Sequence, residues 1–229
     1  MKKKYLFFEL TAIFIFLIIP PLSVSPDASA TVTVANNGVP SLWTLIQILT
    51  ALLLHLQYTL TIQNKRTHFE KIQVMFRSLS WWAICLGLLL ITHVLLSLAV
   101  SLLGIPGKET AFPEPGAIWA MSFLNLAVGA FYEESIYREF IPQALIDILP
   151  EKKSVRIFIE LFCNILFAFS HRYMGLPAVA NAAICGAILR VCWKKSGSDS
   201  DGSPHTGSMY AGTAAHFAYN ALFFFFASH

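Results

Sequence analysis

Between Phe131 and Phe140 the chain reads FYEESIYREF, directly after an apolar, small-residue run from Ala117 to Ala130. Glu133, Glu134, Arg138 and Glu139 therefore crowd into a segment that otherwise suits lipid. A charge at the centre of a bilayer costs at least about 2.5 to 3.5 kcal/mol, so the cluster has a structural or a chemical reason to be there. Residues four apart share a helix face, and Glu134 with Arg138 forms such a pair with the acid on the N-terminal side, the better orientation. Glu133 points about 100° away around the helix and has no cation on its own helix. A desolvated carboxylate of that kind suits a general base. Glu133 is the candidate for chemistry, and Glu134 with Arg138 for architecture. An ion cluster that only locks helices together is the competing reading. Glu139 receives no role.

Two more polar constellations follow. LFAFSH supplies Phe167 and His171, and TAAHFAYN supplies His216 and Asn220. His216 and Asn220, four apart, can both donate to one point beside their helix. That suits a developing oxyanion and equally suits half of a metal site. His171 is an imidazole able to orient a water or relay a proton. His55 and His93 lack polar neighbours at helical spacing and read as hydrogen-bonding links between helices. Glu9 and Glu160 lie near the ends of apolar segments, where a long side chain can snorkel.

The elements that must carry these residues are membrane helices. The chain is 56% hydrophobic and 13% charged, with a mean hydropathy of +0.62, against about 25% charged in a soluble domain. Segments long enough to span about 30 Å of hydrocarbon fall at about 5–22, 39–61, 79–103, 117–149, 155–171, 175–193 and 209–228. The expectation is an all-α, polytopic transmembrane bundle of about seven helices, one membrane domain over 1–229 with its site-bearing core at about 117–225. The fourth segment is too long for one span, and Pro142 predicts a bend that lays its last part along the interface.

Orientation follows from the Lys and Arg distribution. A cytoplasmic N-terminus places Lys2, Lys3, Lys4, Lys65, Arg66, Lys71, Arg77, Lys152, Lys153, Arg156, Arg190, Lys194 and Lys195 inside, and only Lys108 and Arg172 outside. Trp43, Trp81, Trp82, Trp119 and Trp193 fall near segment ends, as an aromatic belt requires. MKKK and the apolar run behind it, followed by Ala28-Ser29-Ala30, resemble a secretory signal. Glu9 within the run and Pro20-Pro21 well before the triplet favour a retained first helix. The stretch 195–208 is rich in Gly, Ser and Asp and reads as a flexible link. Cys85, Cys163, Cys185 and Cys192 form no CxxC pair and read as reduced core residues. No basic patch with interleaved aromatics supports nucleic-acid binding, and no internal repeat supports a transporter.

The three constellations, in this order, resemble the CPBP family of CAAX proteases and bacteriocin-processing proteins, also called Abi. Its pattern is EExxxR, then FxxxH, then HxxxN or HxxxD. Here it is filled by Glu133-Glu134-Ser-Ile-Tyr-Arg138, Phe167-Ala-Phe-Ser-His171 and His216-Phe-Ala-Tyr-Asn220. The resemblance implies an α-helical intramembrane endopeptidase similar to the type II CAAX prenyl endopeptidases. It implies that Glu133 and His171 activate water, that His216 and Asn220 hold the oxyanion, and that Glu134, Arg138 and Phe167 support them. The implied substrate is a membrane-associated peptide or protein, cut at a cytoplasm-facing cavity without a cofactor. The setting expected from the MKKK start and the brief connections is a bacterial cytoplasmic (inner) membrane. Two alternatives stand beside this reading. One is a zinc metallopeptidase using Glu133, His171 and His216. The other is a non-proteolytic membrane adaptor or bacteriocin-immunity protein.

Overall fold

A computed structural model describes residues 3–24, 32–33, 41–61, 68–105, 110–111, 117–197 and 209–227. The flexible link expected after Gly197 lies, from residue 198 to 208, outside the described residues. Seven helical elements appear among the described residues. They are α1 Lys3–Ser23, α2 Leu42–Thr61, α3 His68–Leu102, α4 beginning at Ala117–Glu133, α5 Lys153–Ser170, α6 Leu176–Gly197 and α7 Met209–Ala227. The only strands among the described residues are β1 Val32–Thr33 and β2 Thr110–Ala111, a short parallel pair. α1, the Met75–Leu102 part of α3, and α6 are long and apolar enough to cross a membrane.

Burial follows the helical period. On α5, Ile159, Cys163 and Phe167 are buried, four apart each time, whereas Phe158, Leu161, Ile165 and Phe169 are exposed large apolar side chains. In a membrane bundle the first row makes the core and the second meets lipid. α1 contributes Leu6, Leu10, Ile13 and Ile18 to the core that also holds Tyr132, Ile136 and Phe140 of α4. α3 packs against α6 and α7, and α4 lies between α2 and α7.

α4 departs from the expected bend. After Glu133 it continues as a π-helical stretch, Glu134–Phe140, and then as a further α-helical turn pair, Ile141–Ile148. Pro142 causes the change. It has no N–H, and its ring crowds the carbonyl four residues back, that of Arg138. A wider π turn relieves the crowding, and the Ile141 N–H bonds to Ile136 O across it. Arg190 Nη1 of α6 donates to the Arg138 carbonyl. The final segment stays in the bundle against α1 and α5, with Ile141 and Ala144 buried, rather than lying along the interface. α1 repeats the device, with a π turn at Phe14–Ile18 just before Pro20 and Pro21.

Three expectations are corrected. α3 starts at His68, so Trp81 and Trp82 lie several turns inside it rather than at its end. Trp193 is 1% exposed and stacks under the Arg190 guanidinium at 4.4 Å, so it belongs to the core and not to a belt. Arg190 is not a loop cation: Nε and Nη2 clasp both Glu160 oxygens at 2.8 and 2.9 Å, and Lys194 adds a third contact at 2.8 Å. Glu160 therefore anchors an interhelical ion network instead of snorkelling. The four cysteines are buried thiols.

Candidate active site

The π stretch of α4 is buried at every position, from Glu134 to Phe140, and meets α2, α5, α6 and α7. It sets the polar groups of α4 against those of α5 and α7. Glu134 is fully buried and accepts from His216 Nδ1 at 3.1 Å, while Arg138 Nε lies 3.6 Å from the same Glu134 oxygen. The guanidinium carbon of Arg138 sits 3.6 Å from the centre of the Phe167 ring, a desolvated cation–π contact. The same ring meets His171 edge-on at 4.8 Å and His216 at 6.4 Å. Phe167 is the platform on which both imidazoles and the guanidinium rest.

Glu133 differs from its neighbour as the helical geometry requires. Its side chain is 27% exposed, and His216 Nε2 lies 3.7 Å from its carboxylate. The sequence leaves Glu133 without a cation on its own helix; the fold supplies an imidazole from α7. His216 thus lies between the two glutamates, with Nδ1 held by Glu134 and Nε2 toward Glu133.

His171 is placed by the end of α5. The helix stops there, a single turn at Arg172–Met174 follows, and Gly175 adopts φ +98°, a conformation that favours glycine. His171 Nδ1 lies 2.9 Å from the Phe167 carbonyl oxygen. A carbonyl only accepts, so Nδ1 carries a proton, and in the neutral ring Nε2 is the nitrogen with the free lone pair.

Glu133, Phe167, His171, His216 and Asn220 all line one cavity of about 530 Å³ inside the bundle. A second cavity of about 580 Å³ lies between α1 and α2, and Glu133, His171 and Tyr173 line it as well. The Glu133–His171 wall is therefore shared by two chambers. Glu134 and Arg138 lie behind that wall and line neither chamber. Among the described residues, no group of three His, Cys, Asp or Glu side chains converges in a way that could hold a metal ion.

His93 is the link between helices that the sequence suggested, whereas sequence reasoning missed its partners Tyr219 and Asn181 and that all three line the first cavity. His93 Nδ1 lies 3.2 Å from Tyr219 Oη, which accepts from Asn181 Nδ2 at 3.2 Å. Their link crosses three helices, so no spacing within one segment announces it. Tyr219 next to Asn220 was the available signal. His55 does serve as interhelical glue: Nδ1 lies 3.1 Å from Glu139 Oε2, and Nε2 lies 2.9 Å from Tyr210 Oη. Glu139, without a role in the sequence, is the buried partner in that link. Glu9 accepts from Gln57 Nε2 at 2.9 Å.

Both chambers reach from the middle of the bundle toward one end. Their walls come from the middle of α4 and from the C-terminal parts of α1, α3, α5 and α7 and the N-terminal parts of α2 and α6, with Leu89, Leu189 and His216 marking the inner reach of the first. Lys3, Glu151 and Arg156 line a cavity at the other end, where α1 and α5 begin. Both chambers therefore extend toward the end of the bundle opposite the N-terminus.

Residues 115–222 match the family model described as Type II CAAX prenyl endopeptidase Rce1-like. No curated protein and no solved structure matches the chain. The matched segment, just under half of the chain, carries all three motifs. With its long apolar helices, the chain is an integral membrane protein.

Proposed function

We propose that this Rce1-like chain is an intramembrane endopeptidase, hydrolysing a peptide bond of a membrane-associated peptide or protein with water activated by Glu133 and His171. The observation that carries the reading is the convergence of Glu133, His171, His216 and Asn220, from three helices, on one cavity of about 530 Å³. That volume lies in the range of pockets that enclose a ligand.

In this reading Glu133 removes a proton from water, and His171 Nε2 orients that water through its lone pair. The hydroxide adds to the scissile carbonyl. Asn220 and His216 donate to the oxygen as it becomes negative. His216 has a donor for this in its imidazolium form, with Nδ1–H on Glu134 and Nε2–H toward the cavity. The 3.7 Å between Nε2 and Glu133 exceeds a hydrogen bond and suits a bridging oxygen. Glu133 then delivers the proton to the leaving amine as the C–N bond breaks. Glu134, Arg138 and Phe167 position His216 and His171 and touch no reacting atom. An extended substrate lying across Glu133 would place its two sides in the two chambers that share that wall. The scheme routes no step through a metal. The host membrane in this reading is a bacterial cytoplasmic membrane.

The test is comparative proteomics of membranes from cells expressing the wild type, His171→Gln, or Glu151→Gln as an exposed control. New peptide termini should appear with the wild type and the control and disappear with His171→Gln. An adaptor predicts altered binding or stability with no new termini in any sample.

A further inference from the structure

We infer that the cavity opens on the non-cytoplasmic side of the membrane, and that its substrate is a peptide segment presented there by a translocated or membrane-anchored protein. The inference rests on the hydrolytic reading of the cavity and names the side, and hence the class, of its substrate. Two independent observations meet in it.

The first is the position of the chambers. Leu96, Ser97 and Val100 of α3, His171 and Met174 after α5, and Phe223 of α7 line the first chamber. Each lies toward the C-terminal end of its helix. Pro177 and Ala178, at the N-terminal start of α6, complete that end. Pro20, Pro21 and Val24 close the second chamber at the same end of α1.

The second is the charge distribution. Lys3 and Lys4 begin α1, Lys152, Lys153 and Arg156 begin α5, and Lys194 and Lys195 end α6. All belong to the end opposite the chambers. Lys71 and Arg77 lie in the N-terminal part of α3, at the same end. Removing Arg190, which is bound to Glu160, leaves this imbalance intact. Among the described residues, only Arg172 of the Lys and Arg side chains belongs to the chamber end, and its Nη2 donates to the Val24 carbonyl at 2.9 Å. Positive charges flanking short connections stay in the cytoplasm. The basic end is therefore cytoplasmic and the chamber end faces away. A cytoplasmic protein with a lipidated C-terminus cannot present its scissile bond to that end; an exported segment held at the membrane can.

The experiment is thiol labelling in membrane vesicles. The four native cysteines are buried, so the unmodified chain supplies the background. Leu176→Cys and Leu103→Cys place thiols on side chains that are 83% and 72% exposed at the chamber end. Lys152→Cys places one at the other end, on an exposed residue. A membrane-impermeant maleimide should label the first two in right-side-out vesicles and Lys152→Cys only in inverted vesicles. The reverse pattern overturns the orientation and leaves the hydrolytic reading untouched. In the same cells, termini that depend on Glu133 should map to non-cytoplasmic segments of their proteins. Termini on cytoplasmic segments overturn the substrate class. Their absence altogether, with the labelling as expected, overturns the hydrolytic reading and not the orientation.

Discussion

Replacing Arg138 by methionine isolates the interaction that holds the site together. Arg138 is 2% exposed and Glu134 fully buried, with 3.6 Å between Nε and the carboxylate oxygen. At an effective dielectric constant of about 20, that separation corresponds to roughly 4 to 5 kcal/mol of attraction. The Phe167 face at 3.6 Å from the guanidinium carbon adds to it, by about 2 kcal/mol when desolvated. Methionine keeps most of the volume but leaves Glu134 with His216 alone. Removing one partner of a buried pair costs about 3 to 5 kcal/mol, which for a chain of this size lowers the midpoint of thermal unfolding by roughly 6 to 20 °C. The buried cysteines provide the assay, because a thiol-reactive fluorogenic dye reports their exposure on heating in detergent. Glu134→Gln keeps the shape and the acceptor for His216 while removing the charge. The double variant should then lose less than the sum of the two single losses, by at least about 1 kcal/mol. Additivity within about 0.5 kcal/mol, or a shift below about 2 °C for Arg138→Met, would refute the claim that these two charges hold each other.

Three further outcomes follow from the same geometry. A Cβ added at Gly186 would collide with Asn164 Oδ1 and come within 2.9 Å of Phe167 Cδ1 and 3.3 Å of Arg138 Nη2. Overpacking costs about 1 to 3 kcal/mol against about 1 kcal/mol gained in helix propensity, so Gly186→Ala should unfold at a lower temperature in the dye assay; a raised midpoint contradicts the packing. His55→Phe should strand buried Glu139 at a cost of about 1 to 3 kcal/mol, and His55→Phe with Glu139→Leu should recover part of it in the same assay. Proteolysis should persist in the presence of chelators, with no stoichiometric zinc by mass spectrometry of the purified protein; chelator inhibition reversed by zinc would reinstate the metal reading.

The helices and the motif residues were legible in the sequence for a physical reason. Apolar runs of spanning length announce themselves, and spacing within one helix reports which side chains share a face. That argument separated Glu133 from Glu134, and the fold keeps them apart: one lines the cavity and the other is sealed behind it. What stayed illegible were contacts between helices, which depend on how each helix is rotated against its neighbours. His216 between the two glutamates, His93 on Tyr219, His55 on Glu139 and Arg190 on Glu160 are all of this kind. The π stretch was hidden for another reason. Pro142 signals a disturbance, but whether a helix bends or widens depends on what receives the displaced Arg138 carbonyl, here Arg190 from another helix.

The most direct test of the central claim is the yield of new peptide termini in membranes holding equal amounts of wild type and Glu133→Gln. Glu133 is 27% exposed and lines both chambers, so its amide should leave the thermal midpoint unchanged within about 2 °C, roughly 1 kcal/mol at this size. Loss of a general base lowers a rate by about 10²- to 10⁴-fold, and the termini should fall by at least the smaller factor. Undiminished termini with Glu133→Gln would contradict the account.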